Sequence, residues 1–204
     1  STINNLYLHQ YSKLLIQYGQ FTLSSQNIHI LDNSKIDGIG LGYAKNQKHS
    51  SCPGTIDNSD AGSHGGSGGY RQYTHSCGNY KEPVLMGSGA HYLAKGGAAV
   101  KIIATTSLTV NGNIDMSGQK TDLAGGAGGS LWIITNTLNG NGIIRANGGG
   151  GQPGSAGGGG GRVAIYADND DNYTGIIQAA GGESGNYVGS AGSVYKVING
   201  IETL

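Results

Sequence analysis

The residues able to do chemistry in this 204-residue chain are few and scattered. Cys52 and Cys77 share one loop-like stretch with His49, His64, His75 and His91. A disulfide between them would contribute about 3 kcal/mol through chain entropy and would belong to an oxidising compartment. Two free thiols are the alternative. Zinc also favours Cys and His, but no C-x-x-C or H-x-x-x-H spacing occurs, so a zinc site is not expected. The one acidic cluster is Asp168-Asn169-Asp170-Asp171-Asn172. Asp168, Asp170 and Asn172 have the alternate spacing of a weak calcium site, although Tyr173 and Ala179 stand where an EF-hand needs Gly and Glu. A solvated acidic turn is the plainer reading. Asn172-Tyr173-Thr174 is the single N-x-[ST] sequon, making Asn172 a glycosylation acceptor in a suitable host. No phosphate loop or nucleophile elbow is present. Polysaccharide-cleaving enzymes need gathered carboxylates, and Asp115 falls in line with Arg145 and Gln178, so no stack is expected. A non-enzymatic chain without cofactor, calcium aside, is the expectation.

Composition narrows the class. Gly supplies 40 residues, and 12 Lys+Arg balance 12 Asp+Glu. Nucleic-acid binders carry a basic surplus, and disordered chains carry high net charge. Collagen needs Gly at every third position with abundant Pro, against 3 Pro here. Gly in helix interiors is unfavourable, and no run of 18 apolar residues exists to span a membrane. Ser1 in place of Met reads as a processed chain.

An internal repeat positions everything else. Ala99-Val100-Lys101-Ile102-Ile103-Ala104 returns as Ser130-Leu131-Trp132-Ile133-Ile134-Thr135, then Arg162-Val163-Ala164-Ile165-Tyr166-Ala167 and Ser193-Val194-Tyr195-Lys196-Val197-Ile198, in steps of 31, 32 and 31 residues. A second element, Ile114-Asp115-Met116-Ser117-Gly118, returns at Ile144 and Ile177, and a degenerate earlier copy holds Ile28-His29-Ile30 and Ile36-Asp37-Gly38. Short β-branched strands between Asn-Gly turns cannot bury their own apolar face, but stacked equivalents can. The expected fold is all-β: a right-handed parallel β-helix of about four 30–33-residue coils with stacked Gly-rich arms. The arms, 117–129, 147–161 and 180–192, hold 5, 10 and 5 Gly at one phase of each repeat. Ordered, polyproline-II-like packing is one reading of them and floppy loops the other.

Gly-Gly-Ser-Leu-Trp-Ile (128–133), Leu-Asn-Gly-Asn-Gly-Ile-Ile-Arg-Ala-Asn-Gly-Gly (138–149) and Gly-Gly-Gly-Gly-Arg-Val-Ala-Ile-Tyr (158–166) resemble a Gly-rich β-helical repeat of large secreted and surface proteins of bacteria and protists. Tyr80-Lys81-Glu82-Pro83 with Gly87-Ser88-Gly89 is similar to the segment preceding the regular coils there. The resemblance covers about residues 22–198. It implies an extracellular, adhesin-like or structural protein and no established catalytic residues.

The expected organisation is an N-terminal cap or inter-subunit strand over 1–19 and a β-helix over 20–204, with a disulfide-containing lobe over 43–95 in its first coil. Tyr70, Tyr73, Tyr80, His91 and Tyr92 in that lobe are the binding candidates, since exposed loops carry recognition. The last coil stops partway, so the ladder either continues in a longer chain or pairs with the next copy. The expected function is an extracellular structural subunit, built head to tail from copies of itself into a filament or surface fibre. A glycan- or surface-binding adhesin module is the alternative, and a polysaccharide lyase or hydrolase the second alternative.

Overall fold

The structure, a computed structural model, describes residues 3–17, 19–52, 61–69, 76–91, 93–169 and 172–204. Among the described residues every regular element is a strand. One sheet joins, in spatial order, β1 (Asn5–Leu8), β3 (Gln20–Ile30), β5 (Ala99–Val110), β7 (Ser130–Gly140), β9 (Arg162–Ala167), β12 (Ser193–Ile198) and β13 (Ile201–Thr203), with β10 (Asn172–Tyr173) paired to β7. A second, five-stranded sheet joins β11 (Ile176–Gln178), β8 (Ile143–Arg145), β6 (Asn113–Asp115), β4 (Lys35–Asp37) and β2 (Lys13–Leu15).

The expected single parallel β-helix is therefore corrected. Two separate sheets form, and the larger is mixed, because β13 runs antiparallel to β12. The reversal is local chemistry: Asn199 and Gly200 have φ of 52° and 75°, the positive values that a two-residue hairpin turn requires. The third side of each repeat is not a sheet at all, for a reason that lies in its glycines.

Repeat spacing sets strand register. Val100 pairs with Leu131, Leu131 with Val163 and Val163 with Val194. Alternation sends Val100, Ile102 and Ala104 inward, where they meet Ile36, Ile114 and Ile144 of the second sheet in a buried core. The N-terminal segment adds one more rung: Leu6 and Leu8 pair with Ile28 and Ile30, and Leu14 pairs with Ile36.

The glycine arms are ordered. Gly157 and Gly160 donate to the carbonyls of Tyr187 and Ser190, Gly158 and Gly161 to those of Gly149 and Ala146, and Gly159 to that of Gly62. The next arm repeats the pattern: Gly125 and Gly128 donate to Ala156 and Gly159, Gly126 and Gly129 to Gln119 and Met116, and Ala127 to Ser88. Donors that cycle through three neighbours every three residues are the signature of a three-fold extended chain of polyproline-II type. A sheet strand, with period two, reaches only two neighbours. Interlocking arms leave no room for side chains: a Cβ on Gly158 would lie 2.0 Å from the Gly126 carbonyl oxygen.

The described part of residues 43–95 bonds to the glycine layer. Residues 61–69 and 87–90 supply an outer row of the glycine layer, through Gly62 to Gly125, Gly66 to Gly160 and Gly69 to Gly157. Ala61, Ala90, Ala94, Ala124 and Ala156 form a small core inside it. Where the arms pass each other, Ala is the largest apolar residue that fits.

Gly158→Ala is expected to cost about 3 kcal/mol or more, because the new methyl meets backbone that cannot move aside. Gly154→Ala, in open space at φ 91°, is expected to cost about 1 kcal/mol from backbone strain alone. Chemical denaturation of both variants measures the difference.

Candidate functional site

Polar chemistry gathers in three places. The first is an ion ladder across the second sheet. Parallel register places Asp37 beside Asp115 and Asp115 beside Arg145, so two carboxylates do stack, contrary to the sequence expectation. The earlier copy holding Asp37 is legible in the sequence, but the long stretch between Gly38 and Ala98 hides its register against Asp115. Lys13 pairs with Asp37, and Lys35 lies 3.4 Å from Asp37 and 3.3 Å from Asp115. Arg145 donates to Asp115 Oδ2 from Nε at 2.9 Å and from a terminal nitrogen at 2.6 Å.

Burial of Asp115 pushes its carboxyl upward. The Arg145 hydrogen bonds, the Ser117 amide and the Lys35 charge outweigh that, holding it below the ordinary carboxylate range. Burial of Asp37 is likewise outweighed by Lys13, the Ile39 amide and Lys35. Both acids are ionised and paired. This is the wrong state for a general acid and the right one for a structural ladder.

The second place lies under the disulfide. Cys52 and Cys77 are bonded, with Cα atoms 5.1 Å apart. Cys77 donates its amide to the His64 carbonyl at 2.8 Å and accepts from Arg162 Nε at 2.9 Å. His64 is fully buried, its Nδ1 2.8 Å from the Gly128 carbonyl oxygen. A carbonyl only accepts, so Nδ1 carries the proton. Burial drives the His64 pKa down to about 4, and the Arg162 charge adds to the fall. His64 is thus a neutral strut between the glycine layer and the loop that closes over it.

The third is an aromatic cluster on the outer face of the larger sheet. The segment 77–86 crosses this face, tied by Ser130 Oγ to the Leu85 carbonyl and Tyr166 Oη to the Lys81 carbonyl. Tyr80 and Tyr166 meet Tyr195 edge to face at 5.5 and 5.9 Å, and Lys81 pairs with Glu202 at 3.0 Å. Nearby, Lys101 Nζ lies 3.4 Å above the Trp132 ring.

Of the lobe candidates, Tyr80 belongs to this cluster and is 38% exposed, and His91 lies in the glycine layer's outer row, next to Ala90. Tyr70, Tyr73 and Tyr92 lie outside the described residues, as does Asp170 of the calcium candidate. Asp168 and Asn172 are exposed, Asn172 on β10 paired with Asn139. Among the described residues no three His, Cys, Asp or Glu converge on one point. Sequence reasoning also missed an open groove of about 510 Å³ lined by Lys120, Asn147, Gln178 and Glu183 over a floor of glycine backbone.

Together these features define a disulfide-bonded, two-sheet all-β protein whose strands are joined through an interlocked glycine layer. Comparison with family models, curated proteins and solved structures found no match. Among the described residues no helix is long and apolar enough to cross a membrane. The disulfide is compatible with a secreted protein.

Two outcomes follow for stability. In the unfolded chain His64 protonates near its ordinary value of 6.5, whereas the folded protein resists until about 4. The unfolded state therefore binds more protons in that window, and stability falls as pH drops from 6.5 to 4, by about 3 kcal/mol. His64→Asn should remove that slope in denaturation measured across the window. Separately, Arg145→Leu leaves Asp115 with Lys35 as its ion-pair partner and the Ser117 amide. It should cost about 2 kcal/mol, discounted because the Arg145 side chain is partly solvated.

Proposed function

We propose that this protein is an extracellular structural subunit that assembles head to tail into a filament or surface fibre. The observation that carries this reading is the character of the two ends. At one end the outermost strands are β1 and β2, with Tyr7, Leu15 and Phe21 exposed; at the other they are β11 and β13, with Ile176, Val188 and Ile201 exposed. Stacked parallel rungs with apolar, hydrogen-bond-hungry ends favour addition of a further rung. A rigid glycine layer and carboxylates already committed to ion pairs suit a building element better than a catalyst. The likeness of the glycine-rich repeat to segments of large secreted and surface proteins supports the extracellular setting.

A glycan-binding module is the second reading, favoured by the polar groove beside Lys120 and Gln178. Glycan-array binding that is lost in Gln178→Ala would support it.

In repeat register, Ile176 of one copy would face Lys13 of the next. Ile176→Lys sets like charges opposite each other at a position 54% exposed in the single chain, so folding should be unaffected. Wild-type protein is expected to form rods by electron microscopy and to scatter light increasingly with concentration, and Ile176→Lys to stay monomeric. Wild-type monomers throughout the concentration series would refute the filament reading.

A further inference from the structure

The rows of the larger sheet show where a further copy would join and what stands in its way. Ser24, Ile103, Ile134, Tyr166 and Val197 occupy one row across successive strands. At the first end, β1 pairs only with residues 27–30 of β3. Residues 20–24 consequently form an outer edge among the described residues, with Phe21 43% exposed, whereas Ser25 is buried and donates its hydroxyl to the Ile3 carbonyl. At the other end, the equivalent edge of β12 carries no further strand at Ser193 to Tyr195 among the described residues, Tyr195 being buried, and is covered at Lys196, Val197 and Ile198 by the antiparallel β13.

β13 is held weakly. All three of its residues are exposed, Ile201 at 69%. Its side-chain ties both run from Glu202, which hydrogen-bonds Tyr195 and pairs with the exposed Lys81, the latter a kind of contact that contributes little in water. It also breaks the parallel pattern that every other strand pair in both sheets obeys. One strand edge has one set of N–H and C=O groups, so β13 and an incoming parallel strand compete for the same bonds.

We infer that β13 is a displaceable guard on the joining edge, occupying the backbone of residues 196 and 197 that residues 23 and 24 of a second copy would pair with. The inference rests on the head-to-tail reading and adds its regulation: assembly requires the hairpin to open. The incoming strand would replace a three-residue antiparallel pairing with five residues of the register that β12 already makes with β9, and would bring Phe21 over Val194.

The test uses the full chain in two variants. Gly200→Val places a β-branched residue at φ 75° and opens the turn, and Glu202→Lys turns the Lys81 attraction into repulsion while leaving the turn intact. Each is expected to form fibres at about one-tenth of the wild-type critical concentration, a change of about 1.4 kcal/mol. Mixing a Ser24→Cys chain with a Val197→Cys chain should give a cross-linked dimer, with higher yield when the second chain also carries Gly200→Val. Fibres at the same critical concentration with unchanged cross-linking would overturn the guard and leave the filament standing. Absence of fibres from wild type and both variants would overturn the filament, and the guard with it. Loss of fibres from folded variants alone would make β13 part of the joint, again overturning the guard.

Discussion

The structure depends on a contact that only glycine permits: one backbone lying directly against the next with no Cβ between. In the arms, the space where a side chain would begin is occupied by a neighbour's carbonyl, 2.0 Å away at Gly158 and 1.7 Å at Gly125. Each arm donates hydrogen bonds in three directions, so it is locked to neighbours beside it as well as to those above and below. Glycine is usually costly in ordered structure because it loses the most conformational freedom. Here that loss is offset by backbone bonds that no other residue could make at this spacing.

That layer in turn sets the order of the sheets. Each repeat enters the larger sheet from one glycine arm and leaves the smaller sheet into another, so arms in fixed positions hold strands in fixed register. The core between the sheets is then a set of aligned rows, Val100 on Leu131 on Val163 and Ile36 on Ile114 on Ile144. The charges obey the same alignment. Asp37, Asp115 and Arg145 line up because their strands are adjacent rungs, and the lysines that neutralise the acids come from β2 and β4 of the same ladder. His64 and Arg162 lie where the loop closed by the disulfide meets the glycine layer, and His64 stays neutral because solvent is excluded.

How much of this was legible depended on whether the signal was periodic. The strands at Val100, Leu131, Val163 and Val194 could be read because β-branched alternation recurs at nearly constant spacing. The N-terminal rung was missed although Leu6, Leu8 and Leu14 precede Ile28, Ile30 and Ile36 by 22 residues each. Leu substitutes for Ile there, and the 22-residue offset differs from the later repeat. The Cys52–Cys77 pairing was legible from the count of two. The burial of His64 was not, because nothing local distinguishes it from His49 in the same stretch. Residues 61–69 read as an exposed loop for the same reason: their partners, Gly125, Gly157 and Gly160, are remote in the chain.

By itself the sequence determined the rung: its length, its inward-facing residues, the phase of its glycines and the absence of net charge. Those are local or periodic properties, set by side-chain alternation and by which residues tolerate crowding. Only the tertiary structure decided that the glycine arms interlock in three directions, that residues 61–69 and 87–90 join them, and that the last strand turns back on β12. Each of these is a choice between partners of similar chemistry. Such choices are settled by which backbone groups remain unpaired once the rungs have stacked, and no stretch of sequence carries that information alone.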